Sequence, residues 1–176
     1  MPVILENISN PSPDDLDDLI KLFQDYPATL ANAHIDTQVD TQVDTQVDTP
    51  VDTPVNGPLS DWINDKLASG QQLFAGRFNG RLIAAVWGIP AFYSWQLEHL
   101  CVRAITRRRG IARQLLTLLA QHADIEKLDL KVVNSIVPPE LKPLLTDLGF
   151  SCDASACQAQ ELIWTKAARP TEPTKP

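Results

Sequence analysis

The chain has 176 residues, 44% hydrophobic and 21% charged, enough to bury one substantial core and short enough to argue for a single domain. A formal net charge of −7 argues against a general nucleic-acid binder, because affinity for a phosphate backbone grows with the cations offered to it. No early stretch joins basic residues to an apolar core and a cleavage site, and no apolar run approaches a bilayer span, so a cytoplasmic protein is expected.

In chain order, Val3 to Ile8 reads as a first strand. Ser12-Pro13-Asp14-Asp15 then announces a helix, with Ser at the cap, Pro at the first position and acid in the first turn; it should run to about Phe23. An Asp-Thr-Gln-Val unit follows at Asp36, Asp40 and Asp44, continued as Asp-Thr-Pro-Val at Asp48 and Asp52. One Val and one Asp per four residues bury too little apolar surface to offset ordering entropy, and proline blocks a helix. Residues from about 27 to 58 are therefore expected to be a disordered insertion, with a tolerated repeat expansion preferred over a partner-binding arm.

Ser60 is placed as the cap of a short helix through Trp62, Ile63 and Leu67, ended by Gly70. Gln72 to Phe78 and Arg81 to Ile89 are strand-like runs joined by Asn79-Gly80, the strongest short hairpin signal. Leu97 to Val102 reads as another strand, and Leu115, Leu116, Leu118 and Leu119 mark a helix reaching about Ala123. A strand from Leu128 to Val133, a helix from Pro139 to Leu148 and a strand around Leu162 to Thr165 complete the order β-α-α-β-β-β-α-β-α-β. The expected fold class is α/β with a mixed sheet, residues 1–166 forming one domain and 167–176 a Pro-rich tail.

Cys101, Cys152 and Cys157 are an odd set without CxxC spacing and read as reduced thiols. A Cys152–Cys157 bridge across a hairpin is the weaker reading. His34, His99 and His122 are scattered without metal-ligand spacing, so no metal is assigned.

The most informative segment is Arg107-Arg108-Arg109-Gly110-Ile111-Ala112, between the Leu97 to Val102 strand and the Leu-rich helix. Basic residues supply charge, Gly110 permits close backbone approach, Ala112 stays small, and the first helical turn exposes unpaired N–H groups to an anion. A solvated charge run is the bland alternative, which the strand-turn-helix placement argues against. Neither a Walker loop nor a three-glycine dinucleotide fingerprint is present.

Arg107-x-x-Gly110-x-Ala112 is similar to the R/Q-x-x-G-x-G/A signature of the GCN5-related N-acetyltransferase (GNAT) superfamily, and Leu148-Gly149-Phe150 resembles the close of its last helix. Arg77 to Val86 and Leu100 to Gly110 further resemble the PanZ (PanM) family of acetyl-CoA-sensing regulators of aspartate 1-decarboxylase maturation. The resemblance implies a GNAT fold and an acetyl-CoA cofactor. Leu100, Cys101 and Val102 would meet its pantetheine arm, and Thr106, Arg107, Arg108, Arg109, Gly110, Ile111, Ala112 and Arg113 its pyrophosphate.

It also implies a partner, the aspartate 1-decarboxylase (PanD) proenzyme, met by an exposed hairpin of Arg77, Phe78, Asn79, Gly80, Arg81 and Leu82, whose self-cleavage the protein would promote in response to acetyl-CoA. For the hairpin arginines, solubility is the plain alternative. The second reading is an N-acetyltransferase acting on an unknown amine, with Glu98 as its catalytic base. Against it, the position of the superfamily's usual Tyr acid holds Leu145, and Pro138 replaces an expected Asn, with Asn134 nearby. Trp87 and Trp95 are assigned to the core rather than to an acceptor pocket.

Overall fold

The computed structural model describes residues 2–24, 59–133, 137, 139–152 and 163–168. The Asp-Thr-Gln-Val repeat, His34, Asn134, Pro138, Cys157, Leu162 and the segment from Arg169 onward lie outside them.

Strand β1 (Ile4–Ile8) leads into helix α1 (Pro13–Gln24). The start is a reciprocal cap: the Asp15 N–H donates to Ser12 Oγ (3.2 Å) and the Ser12 N–H to the Asp15 carboxylate (3.4 Å). Helix α2 (Leu59–Ala68) contains Ser60 in its first turn instead of being capped by it. Its end lies where expected, with the Gln71 N–H returning to the Lys66 carbonyl at 3.2 Å.

Strands β2 (Gln72–Phe78) and β3 (Arg81–Ala91) form the expected hairpin, with Asn79 and Gly80 both left-handed (φ 48 and 75), as a two-residue turn of this twist requires. Strand β3 runs past the anticipated Ile89, and β4 (Ser94–Val102) begins before the anticipated Leu97. Pro90 does not stop β3, because β2 pairs only as far as Gly88 and Pro90 needs no amide donor on that side.

A 3₁₀ turn (Ala104–Thr106) precedes helix α3 (Ile111–Glu126) and strand β5 (Asp129–Val133). The expected helix from Pro139 is a 3₁₀ turn (Pro139–Leu141) followed by α4 (Lys142–Asp147). Strand β6 (Ser151–Cys152), too short to leave a periodic signal, pairs with β7 (Ile163–Lys166). Leu148-Gly149-Phe150 is the stop of α4: Gly149 is left-handed (φ 84), its N–H reaches the Thr146 carbonyl, and the Phe150 N–H reaches the Leu145 carbonyl at 3.0 Å.

Among the described residues the strands lie in the order β1-β2-β3-β4-β5-β7-β6. One face packs Phe74, Val86, Trp95 and Leu97 against Leu115, Leu116 and Leu119 of α3 and Leu145 of α4. The opposite face packs Leu73, Leu82, Trp87 and Cys101 against Leu19, Leu22 and Phe23 of α1 and Ile63 of α2. Among the described residues no helix is long and apolar enough to cross a membrane, and Cys101 and Cys152 are free thiols.

Helix α1 is fixed to β3 by one carboxylate. Asp18 is 2% exposed; it accepts hydrogen bonds from Arg81 Nε (2.9 Å) and the Leu82 N–H (3.0 Å), with Arg103 Nη1 at 3.7 Å. Burial alone would raise its pKa, but the hydrogen bonds from Arg81 and Leu82 and the charges of Arg81 and Arg103 outweigh burial and hold it below the usual carboxylate range.

A depressed native pKa stabilises the fold above the ordinary carboxylate value, and that contribution is lost as pH falls through the depressed one. Asp18→Asn is expected to cost about 2 kcal/mol at neutral pH, the lower end for a broken buried pair because Arg81 is half exposed. Urea unfolding across pH checks it: the difference between variant and parent should begin to shrink as pH falls below about 4 and close only beyond the depressed native value. Parallel curves would refute this role for Asp18.

Candidate functional site

The site begins with a fault in the sheet. Ala85 pairs with Cys101 and Trp87 with Glu98, so His99 and Leu100 of β4 face the single Val86 of β3. His99 takes the left-handed conformation (φ 50) that this bulge demands. Just ahead of it β4 leaves β5: the parallel pairing covers only Ser94–Gln96 against Asp129–Lys131. Between them opens a cavity of about 690 Å³ whose floor is Glu98 to Val102 and whose walls come from α3, β5 and α4.

At its outer end lies the Arg-rich turn. The Thr106 N–H and hydroxyl both donate to the Arg103 carbonyl (2.8 and 2.9 Å), and Arg107 Nε donates to the Val102 carbonyl (3.1 Å). Arg108 (φ 60) and Gly110 (φ 75) are both left-handed. A Cβ on Gly110 would meet nothing within 4 Å, so glycine is required there for its backbone rather than for room. Gly110 caps α3 without any side-chain hydrogen bond. The first intrahelical bond runs from the Gln114 N–H to the Gly110 carbonyl, leaving the N–H groups of Ile111, Ala112 and Arg113 without intrahelical partners. Left-handed turns ahead of such a terminus make an anion-binding concavity.

Leu100, Cys101, Val102, Thr106, Arg107, Arg108, Gly110, Ile111, Ala112 and Arg113 all line the cavity, whereas Arg109 does not and is exposed. Arg113 Nη2 bonds Asp147 at 2.7 Å, tying α3 to α4. Among the described residues there is no group of three His, Cys, Asp or Glu able to hold a metal.

The inner end is polar. Glu98, 5% exposed, lines the cavity, accepts from Gln96 Nε2 at 3.0 Å and has His99 Nε2 at 3.8 Å from its other oxygen. On the α1/α2 face, Trp87 and Trp62 lie edge to face at 5.8 Å, and Trp62 meets the His99 ring at 5.5 Å. Lys66 Nζ lies 5.2 Å from the Trp62 ring centre and 5.6 Å from that of Trp87, and donates to Gln71 Oε1 at 3.1 Å. Burial pushes its pKa down, with the Glu98 charge opposing. Trp95 lies on the other face against Phe74 and His122, so both tryptophans are core residues. Leu145 is 1% exposed in the cavity wall and brings no proton donor there.

The hairpin departs from its expected presentation. Arg77 is bound inward, to Glu6 (2.8 Å), Asp15 (2.8 Å) and the Gly80 carbonyl (3.0 Å). Arg81 holds Asp18, and Leu82 is fully buried. Glu6 and Asp15, on neighbouring elements and invisible to local reading, draw Arg77 in, whereas Arg81 engages Asp18 with its side chain half exposed beside the exposed Asn79 and Gly80. Sequence reasoning also missed Lys66, whose signal was its position four residues after Trp62, on the same helix face.

The family described as the PanZ acetyltransferase (GNAT) domain matches residues 2–158, and no curated protein matches. Among solved structures, YhhK from E. coli bound to coenzyme A is 22% identical, covers 95% of this chain and 99% of its own, and superposes with a TM-score of 0.56. An aminoglycoside 6'-N-acetyltransferase complexed with coenzyme A is 12% identical with a TM-score of 0.63, covering 97% and 99%. The PaiA N-acetyltransferase from Thermoplasma acidophilum in complex with coenzyme A is 12% identical with a TM-score of 0.59, covering 95% and 99%. The fold is that of the GNAT acetyltransferases.

If the turn holds a diphosphate, inorganic pyrophosphate at a hundred times its dissociation constant should stabilise the protein by about 2.7 kcal/mol. Ala112→Glu sets a carboxylate before the same N–H groups; it should keep or slightly raise the stability of the free protein and abolish the protection. Thermal unfolding with and without pyrophosphate measures both, and undiminished protection in the variant would remove the anion from this helix terminus.

Proposed function

The chain belongs to the PanZ acetyltransferase (GNAT) domain family, and on that footing we propose that it binds acetyl-CoA and acts as a regulator of the aspartate 1-decarboxylase proenzyme. The observation that carries the coenzyme half is the cavity between the diverging strands, entered past a helix terminus without a side-chain cap and floored by the part of β4 that has left β5. The chain's residues fit the group: the Arg108 to Arg113 turn takes the diphosphate, and β4 from Leu100 to Val102 offers main-chain partners to an amide-bearing arm. YhhK and the other neighbours are solved with coenzyme A bound, which supports the coenzyme itself. Residues 1–166 form the coenzyme-binding domain in this reading, with 27–58 an insertion and 167–176 a tail, and the setting is cytoplasmic.

The regulatory half rests on the family and on Leu145. A coenzyme cavity lacking the usual proton donor for a leaving thiolate suits a sensor better than a rapidly turning-over transferase. Acetyl-CoA would order the turn, and the ordered surface would bind the proenzyme more tightly, promoting the self-cleavage that supplies β-alanine for pantothenate and coenzyme A synthesis; binding of the two ligands is then reciprocal. Because Arg77 is held against Glu6 and Asp15 while Arg81 stays half exposed, the proenzyme would meet Asn79, Gly80, Arg81 and the exposed Arg109. Glu98 sustains a second reading, an N-acetyltransferase for a small amine, for which thiol release with a panel of amines should depend on Glu98.

Gel-resolved cleavage of the proenzyme, with and without this protein and acetyl-CoA, tests the proposal. Cleavage should accelerate only when both are present. Asn79→Asp, which keeps a residue tolerant of the left-handed turn, should reduce the acceleration about tenfold without lowering thermal stability. Unchanged cleavage with no complex formed would overturn the regulator.

A further inference from the structure

The coenzyme reading leaves an amine unused. Lys66 projects from the last turn of α2 into the space between Trp62 and Trp87, on the face of the sheet opposite α3. Most lysines keep their ammonium in water; this one is half-buried among indoles, held by one hydrogen bond to Gln71.

Two further groups converge on it. Glu98, whose charge is felt at Lys66, pairs in register with Trp87 and lines the cavity, so it is shared between the cavity and the lysine's compartment. Trp87 itself is fully buried, and its indole N–H has no acceptor among the described residues. A buried donor left unpaired is costly, and an oxygen arriving close to Lys66 would satisfy it.

Distance along β4 decides what arrives. With the diphosphate at the Arg108 to Arg113 turn and the arm running back along Val102 and Leu100, the far end of an extended ligand reaches the bulge at His99 and Glu98, which line the cavity and also border the lysine's compartment, His99 through the Trp62 ring at 5.5 Å and Glu98 through its pairing with Trp87. We propose that Lys66 is an acetyl acceptor built into the chain, modified once by the acetyl-CoA that the cavity holds; this rests on the coenzyme reading above.

The balance is simple. The Lys66 ammonium gives one proton to solvent, the neutral amine bonds to the acyl carbon, and the carbon–sulfur bond breaks with its electron pair going to sulfur. The second nitrogen proton passes through Glu98 to that sulfur, so that Nε-acetyl-lysine, free coenzyme A thiol and one released proton result. Burial favours the neutral amine. Leu145 offers no acid to the departing thiolate, which slows a cycle but is tolerable for an event that happens once per chain. The acetyl oxygen gives Trp87 Nε1 its acceptor, and losing the ammonium removes a desolvated charge from between two indoles.

The experiment incubates repurified wild-type protein with acetyl-CoA and reads acetylation of each lysine by peptide mass spectrometry, while calorimetry on the same preparation measures acetyl-CoA binding. Lys66 should gain one acetyl group about tenfold faster than the exposed Lys21 and Lys127. Glu98→Gln should slow it about a hundredfold, urea-unfolded protein should lose the preference, and Lys66→Arg should bind acetyl-CoA without taking up an acetyl group there. Binding with Lys66 modified no faster than Lys21 overturns the acceptor and leaves the coenzyme reading standing; absence of binding overturns both.

Discussion

Three residue pairs hold β4 to β5, Ser94 to Gln96 against Asp129 to Lys131, and everything functional depends on that pairing being so short. Continued pairing would give a closed sheet with no cavity. No pairing would detach β5, β7 and β6 from the rest of the sheet. The bulge opposite Val86 follows three residues after the last pair and bends β4, and apolar residues of α3 and α4 close the sides of the gap between the strands. The polar main chain of β4 thereby stays available beside an apolar wall, an arrangement suited to an elongated ligand with amides along its length and charge at one end.

Asp18 ties the distant parts together. Its carboxylate lies between Arg81, at the base of the hairpin, and Arg103, the residue just before the turn that lines the mouth of the cavity. A carboxylate buried with two guanidinium groups and a backbone amide tolerates little rearrangement. The hairpin, α1 and the entry to the anion turn therefore share one anchor, and a displacement of Arg103 is felt at Arg81 without any intervening loop.

Legibility from sequence followed locality. The Ser12 cap, the Asn79-Gly80 turn and the Gly110 helix entry are short-range devices in which a few adjacent residues specify backbone angles, and each was readable. The element order followed where an element carried its own period, and the two-residue β6, which carries none, escaped. What else escaped was settled by partners far along the chain. Arg77 and Arg81 read as a presented basic pair, but Glu6 and Asp15, more than sixty residues earlier, turn Arg77 inward and Asp18 engages Arg81 from one side. The expected end of β3 at Ile89 falls short of Ala91, because the sequence does not say that β2 stops at Gly88 and leaves room for Pro90. Lys66 was unremarked because nothing local says that Trp87, from another element, will roof it.

The aromatic contact across the top of α1 and α2 has a bearing on heredity. Phe23, near the end of α1, meets Trp62 in the first turns of α2 with ring centres 5.3 Å apart, and both rings rest on Trp87. The two helix ends flanking residues 25–58 are thus stapled to the sheet independently of the chain that joins them. For a connection between points already fixed, extra length costs only about 0.6 kcal/mol per doubling. Gain or loss of a four-residue unit leaves the staple untouched, so the copy number of Asp-Thr-Gln-Val can drift between lineages nearly unseen by selection for folding.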